Sequence, residues 1–295
     1  MDYPTTLLPL PGDYRCELTV GDRLRTFRVH IPVGMQTVAA WPLIVAYHGS
    51  GTHAGTMEAF TGLNDLADEV GCVVVYPNGT GRSRTTLSWN VGRFNSFAAR
   101  EGVDDIGFAH SLLDQLQDVL PIDPGQIFIT GFSNGAMLAY CLADQMADRI
   151  TAIAPVSGPM AQATCAPVRP VPICHFHGTE DEFAPLAGGI GKKSLTKTNF
   201  VSVQQTIQCW IQANQCVEHP LSDETLPMQQ VDGTYITRRI YRGHSLSSEV
   251  ILYLVHGGGH TWPGRESIFT ILGTSTKNLH ANPTLWAFFQ RHKIK

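Results

Sequence analysis

The stretch Ile127-Phe128-Ile129-Thr130-Gly131-Phe132-Ser133-Asn134-Gly135-Ala136-Met137-Leu138 decides how this chain is read. An apolar run of strand character passes without a linker into a helical segment starting at Asn134. At the junction stands Gly131-Phe132-Ser133-Asn134-Gly135, a G-x-S-x-G pentapeptide. Alone the pentapeptide is a weak signal, but between a strand and a helix it marks a sharp turn that exposes a serine. Such a turn forces its serine into a strained backbone conformation. Side chains at the flanking positions would collide with the neighbouring strand and helix, which accounts for the two glycines.

Outward from this turn, short apolar runs alternate with amphipathic stretches, the pattern of a mostly parallel sheet covered by helices on both faces. Strands are expected near Leu43 to Tyr47, Cys72 to Tyr76, Ile127 to Phe132, Thr151 to Val156, Pro172 to Phe176 and Glu249 to Val255. Tyr14 to Val20 and Arg25 to Ile31 form an opening hairpin about Gly21-Asp22. Helices are expected over Met57 to Val70, from Asp104 or Asp105 to Leu120, over Asn199 to Ala213 and over Pro283 to Arg291. A polar insertion follows Ala213. No repeat or linker divides residues 1–295, so one domain is expected, with 1–13 as a loosely ordered extension.

The composition narrows the function. With 295 residues, 43 % hydrophobic and 16 % charged, the chain can bury a large core without metal or disulfide. Twenty-one basic against 25 acidic residues give a net charge of −4, with no electrostatic footprint for nucleic acid. No apolar run reaches the ~18 residues of a membrane span. Met1-Asp2-Tyr3-Pro4 opens neither a basic nor an apolar leader, which leaves the compartment open between a cytoplasmic start and a start after a removed leader. Seven cysteines, an odd number, lack the spacing of a zinc site. Cys72 and Cys174 lie within apolar runs and are expected to be buried as small hydrophobes.

A serine hydroxyl becomes a nucleophile when a histidine takes its proton and an acid orients that histidine. An elbow of this kind goes with the chain order serine, acid, histidine. Pro172 to Phe176 leads into His177-Gly178-Thr179-Glu180-Asp181, and Asp181 is preferred to Glu180 as the acid. The last strand leads into His256-Gly257-Gly258-Gly259-His260. His260, freed by three glycines, is the expected base, while His256 at the strand end is expected to bond locally. The oxyanion formed during ester attack needs two backbone N–H donors. One is expected from Asn134 and the other from Ser50 in His48-Gly49-Ser50-Gly51.

Tyr47-His48-Gly49-Ser50, Trp89-Asn90-Val91-Gly92, Gly102 to Phe108, the elbow, His177 to Asp181 and Gly257-Gly258-Gly259-His260-Thr261-Trp262-Pro263-Gly264 occur in an order that resembles the polyhydroxybutyrate depolymerase and LpqC-like esterases. These are relatives of the feruloyl and acetylxylan esterases, and the likeness covers roughly residues 14–292. The resemblance implies an α/β-hydrolase fold without a cofactor or metal, with Ser133 as nucleophile, Asp181 as orienting acid and His260 as base. It points to Trp262, His48 and Trp89 as substrate-binding candidates, whereas Asp104-Asp105 is explained by a helix cap. Many relatives carry adjacent cysteines where Arg93-Phe94-Asn95 stands here, and another near Gly243-His244. The interval between Val156 and Pro172 is too short for a large helical lid, and no Thr/Pro-rich linker follows. The expected substrate is therefore a short-chain polyester of the poly-3-hydroxybutyrate type or its oligomers, with feruloyl or acetylxylan esters as the alternative. A peptidase, a thioesterase and a non-catalytic binder are less favoured.

Overall fold

The computed structural model describes residues 7, 9–35, 39–194, 196–243, 245, 248–267 and 269–294. Along the chain run β1 (Gly12–Val20), β2 (Arg23–Ile31), β3 (Trp41–Tyr47), α1 (Ala54–Thr61), α2 (Leu63–Val70), β4 (Val73–Pro77), β5 (Thr80–Gly81), β6 (Leu87–Ser88), α3 (Phe97–Arg100) and α4 (Asp105–Val119). They are followed by β7 (Ile122–Phe132), α5 (Asn134–Gln145), β8 (Ala152–Val156), β9 (Ile173–Gly178), α6 (Val203–Ala213), β10 (Ser222–Thr225), β11 (Tyr235–Tyr241), β12 (Val250–His256) and α7 (Ala281–Arg291). Ten strands form one sheet in the order β1-β2-β4-β3-β7-β8-β9-β12-β11-β10. The six from β4 to β12 are mutually parallel, and an antiparallel pair closes each edge. This is the α/β-hydrolase fold.

The central strands are apolar on both faces because helices cover both. On β3, Leu43, Val45 and Tyr47 enter one core with the helices α4, α5 and α6. Ile44 and Ala46 enter the other with α1, α2 and α7. The carboxyl ends of β3, β7, β9 and β12 open on the same edge, where parallel sheets of this class place their ligands.

Several expected elements differ in extent. The single helix over Met57 to Val70 is two helices, because Gly62 takes the left-handed conformation at φ 59° and its N–H turns back to the Glu58 carbonyl. The helix expected from Asn199 begins at Val203, where Ser202 and Gln205 form a capping box. The polar insertion contains β10 and β11, joined by Asp223–Arg239 and Glu224–Arg238 ion pairs across the strands. Of the expected N-terminal extension, residues 1–6 and 8 lie outside the described residues, as does His244. Leu7 is buried and β1 already starts at Gly12.

Candidate active site

Ser133 sits between β7 and α5 at φ 55° and ψ −116°, a conformation costing a non-glycine residue about 1–3 kcal/mol. Its neighbours allow this only without side chains. A Cβ on Gly131 would stand 2.3 Å from the Gly135 carbonyl oxygen, and one on Gly135 would stand 2.1 Å from that of Tyr47. Gly158 adds a third close approach, 2.2 Å from the Ser133 carbonyl oxygen. The strained turn is therefore clamped between strand β3, helix α5 and the loop after β8.

Asp181 follows β9 and His260 follows β12, strands that pair in parallel. The structure brings them together: His260 Nδ1 lies 2.7 Å from Asp181 Oδ2, both side chains buried. The other carboxylate oxygen, Oδ1, accepts the backbone N–H groups of Phe183 at 2.9 Å and Ala184 at 2.8 Å. Burial alone would raise the Asp181 carboxyl, but His260, His177 and the Ala184 N–H together outweigh it. The carboxyl is held below its ordinary range and stays an acceptor. With Nδ1–H committed to the carboxylate, Nε2 of His260 is left with a lone pair. The imidazole is wedged between Phe132 and Phe183, with ring centroids 4.7 and 5.1 Å away. Glu180 takes no part in this contact. His256 bonds locally, its Nε2 2.9 Å from Thr237 Oγ1 and its ring stacked on Tyr235.

Ser133 and His260 line one cavity of about 220 Å³. Its walls are chiefly aromatic: Phe60, Phe94, Phe132, Phe183, Phe200 and Phe269. Only Phe132 belongs to a motif visible in the sequence. The insertion after β9 contributes Ser194, Thr196 and Phe200, and the loop after His260 contributes Phe269 and Leu272.

Ser50 also lines this cavity, and Asn134 is buried at the start of α5. Among the described residues neither backbone N–H has a hydrogen-bond acceptor, so both remain available as donors. Asn134 is held by its side chain, whose Oδ1 accepts the Trp89 N–H at 2.8 Å.

The three substrate-binding candidates are corrected by the structure. His48, Trp89 and Trp262 are fully buried and none lines the cavity. His48 Nε2 accepts the Gly79 N–H at 3.0 Å, so its Nδ1–H donates to the Gly49 carbonyl at 2.8 Å. Burial pushes this imidazole down to about 4, keeping it neutral. Trp89 Nε1–H donates to the His48 carbonyl at 2.8 Å. The two side chains thus fix the carbonyls ahead of Ser50 and aim its N–H. Trp262 Nε1–H donates to Asn282 Oδ1 at 2.8 Å, and Asn282 Nδ2 donates to the Thr61 carbonyl at 2.8 Å, tying the His260 loop to α7 and α1. His48 and Trp262 lie beside site residues in sequence and Trp89 reaches them from a separate loop, and all three hold the site's backbone from behind.

Asp104-Asp105 divides in the same way. Asp104 caps α4 by accepting the Gly107 N–H at 2.7 Å. Asp105 does something else: it is buried, paired to Arg25 at 2.6 Å, and accepts the Asn90 N–H at 2.7 Å, which anchors the Trp89 loop. No group of three or more His, Cys, Asp or Glu side chains among the described residues is arranged to hold a metal ion. No helix among them is long and apolar enough to cross a membrane.

Comparison with known proteins bears on this geometry. Residues 96–218 match the family described as Phospholipase/Carboxylesterase. The chain is 29 % identical over 260 residues to a protein named putative esterase NocK from Nocardia uniformis subsp. tsuyamanensis, covering 84 % of this chain and 73 % of that one. It is 28 % identical over 243 residues to feruloyl esterase B of Piromyces equi, covering 79 % of this chain but only 42 % of that protein's length. Among solved structures, an acetyl xylan esterase from Aspergillus awamori superposes with a TM-score of 0.59 at 16 % identity, covering 90 % of this chain and 94 % of that one. The chain is a carboxylic ester hydrolase. The esterase thus joins a strained serine, a carboxylate-bound histidine and an aromatic cavity at the edge where its fold places ligands.

Proposed function

We propose that the esterase cleaves its substrate through Ser133, His260 and Asp181, with the backbone N–H groups of Ser50 and Asn134 receiving the oxyanion. The observation that carries this reading is the 2.7 Å contact between His260 Nδ1 and Asp181 Oδ2 at the wall of the cavity that Ser133 lines. Ser133 Oγ attacks the ester carbonyl while His260 Nε2 takes its proton. The negative charge formed on the carbonyl oxygen meets two N–H dipoles fixed in advance. Collapse expels the alcohol, which receives the proton from His260, and water then repeats the sequence on the acyl-enzyme. Asp181 remains ionised throughout and holds Nδ1–H.

The aromatic walls favour a flat or short acyl group, and the feruloyl and acetylxylan esterases among the similar proteins support small aryl and acyl esters as substrates. A second reading is a short hydroxyalkanoate oligomer. It draws support from a second cavity that continues past Ser50, giving room for an extended chain. The test compares release of ferulate from methyl ferulate with release of 3-hydroxybutyrate from its oligomers, using Ser133→Ala as the blank. Turnover of either ester, lost in Ser133→Ala with the fold intact, is the expected result. Retained turnover in that variant would remove Ser133 from the mechanism.

A further inference from the structure

Beyond the aromatic cavity lies a second one, of about 290 Å³, whose walls differ in character. The two share Ser50, Gly51 and Thr196, so the second begins at the loop that presents the proposed oxyanion donor. Polar side chains line it, among them Ser88, Asn95 and Ser96, together with one charged group, Arg100. Among the described residues, neither cavity has an Asp or Glu in its lining.

Arg100 is the last residue of α3 and is aimed by a chain of contacts. Its Nη1 donates to Asn95 Oδ1 at 2.8 Å, and Asn95 Nδ2 donates to the Thr196 carbonyl at 3.3 Å, on the wall shared by the two cavities. The remaining guanidinium donors have no carboxylate partner among the described residues. The sequence supplies an independent observation. From Gly79 to Arg100 the chain carries Arg82, Arg84, Arg93 and Arg100 before the next acid, Glu101, a run of four positive charges in a protein whose net charge is −4. Within this segment, the Arg82 guanidinium lies 5.9 Å from the ring of Phe97, a lining residue.

We infer that the second cavity is a carboxylate subsite, read by Arg100, and that the esterase prefers esters bearing a free carboxylate a few bonds from the scissile carbonyl. A guanidinium fork matches a carboxylate in geometry and charge, and a positive segment with no acids steers anions toward the cleft. A neutral sugar ester gains nothing from this arrangement, whereas an ester of a hydroxy acid or a half-ester of a diacid does. Either half of the substrate can bring the carboxylate, and the assay separates the two.

The inference rests on Ser133 being the nucleophile, and the test keeps the two ideas apart. On the acyl side, mono-p-nitrophenyl glutarate is compared with p-nitrophenyl pentanoate. On the alcohol side, 3-(butanoyloxy)butanoate is compared with its primary amide. The quantity read is the kcat/KM ratio of anionic to neutral ester in each pair. In one arm the wild-type ratio exceeds one and falls as salt rises from ~20 to ~500 mM. Because Arg100 is exposed, Arg100→Gln lowers that ratio about fivefold, as suits a solvent-accessible charge pair. Arg100→Lys keeps most of it, which separates loss of charge from loss of fold. A salt-independent wild-type ratio in both arms, or the same ratio in Arg100→Gln, would overturn the inference while leaving the nucleophile untouched. Turnover of these esters that survives in Ser133→Ala would instead overturn the Ser133 reading on which it stands.

Discussion

Replacing Asp181 by Asn tests the orientation of His260 with almost no change in shape. The carboxylate has two distinct faces. Oδ1 accepts two backbone N–H groups, from Phe183 and Ala184, and Oδ2 accepts from His260 Nδ1. An asparagine must place its oxygen on one face and its NH2 on the other. Putting NH2 against the two backbone donors would leave both unpaired in a buried site, at about 1–3 kcal/mol each. The oxygen therefore stays at the Oδ1 position and the NH2 faces His260. Nδ1 must then accept, so the ring proton moves to Nε2 and the lone pair needed by Ser133 is lost. Loss of the correct tautomer in an arrangement of this type costs ~10⁴-fold in kcat, about 5.4 kcal/mol at 1.36 kcal/mol per factor of ten. The assay is steady-state hydrolysis of p-nitrophenyl butyrate near neutral pH, with fluorophosphonate labelling as a second readout and thermal unfolding as the control for folding. A folded Asp181→Asn enzyme within tenfold of wild type would refute the tautomer argument and remove Asp181 as the orienting acid.

Two further predictions concern groups outside the cavity. Glu249 is buried and accepts from Arg291, His292 and Arg242; burial alone would raise its carboxyl, but these three donors pull it down to about 2. A folded-state value below the unfolded ~4.3 means stability that is present above pH ~4.3 and lost as pH falls toward 2, by up to about 3 kcal/mol. Thermal melts from pH 6 to 2 should show that loss in wild type and a smaller one in Glu249→Gln, and identical curves would exclude the network as its source. Cys165 Sγ lies 2.7 Å from Cys209 Sγ, and the hydrogen bond between them draws the Cys209 thiol below its ordinary value while pushing Cys165 up. Cys209 should alkylate with iodoacetamide well before buried Cys174, and diamide should take up two electrons and both thiol protons to leave a Cys165–Cys209 disulfide. Peptide mapping that finds Cys209 as slow as Cys174 and no such cross-link contradicts this.

The strand–turn–helix around Ser133 was legible because its geometry constrains local residue choice. Gly131 and Gly135 stand where any Cβ would meet backbone, and backbone cannot move aside. Sites on successive parallel strands were legible for a related reason, since a loop after a buried strand has only the carboxyl edge to go to. The edge strands β10 and β11 were not legible. Asp223, Glu224, Arg238 and Arg239 pair across them, so the stretch reads as a polar insertion although it extends the sheet. The break at Gly62 escaped because the apolar spacing continues through it from Phe60 to Leu66.

The misassignment of His48, Trp89 and Trp262 has a physical cause that separates framework from specificity. Oxyanion stabilisation depends on N–H groups that are already aimed, and aiming a backbone requires buried donors and acceptors behind it. His48 belongs to the loop it holds and Trp262 stands two residues from His260, whereas Trp89 reaches the His48 carbonyl from a separate loop, so framework residues share the motifs and look like contact residues. The side chains that face substrate are not grouped in this way. Phe60, Phe94, Phe183, Phe200 and Phe269 converge from five separate segments, and locally nothing distinguishes a phenylalanine that faces a cavity from one that faces the core. The cavity wall can therefore change by substitution in loops while the strained serine and the carboxylate-bound histidine stay fixed on the sheet edge. On the proposed mechanism, the sequence motifs of this esterase carry the chemistry of ester attack, whereas the aromatic lining and Arg100 carry the choice of ester.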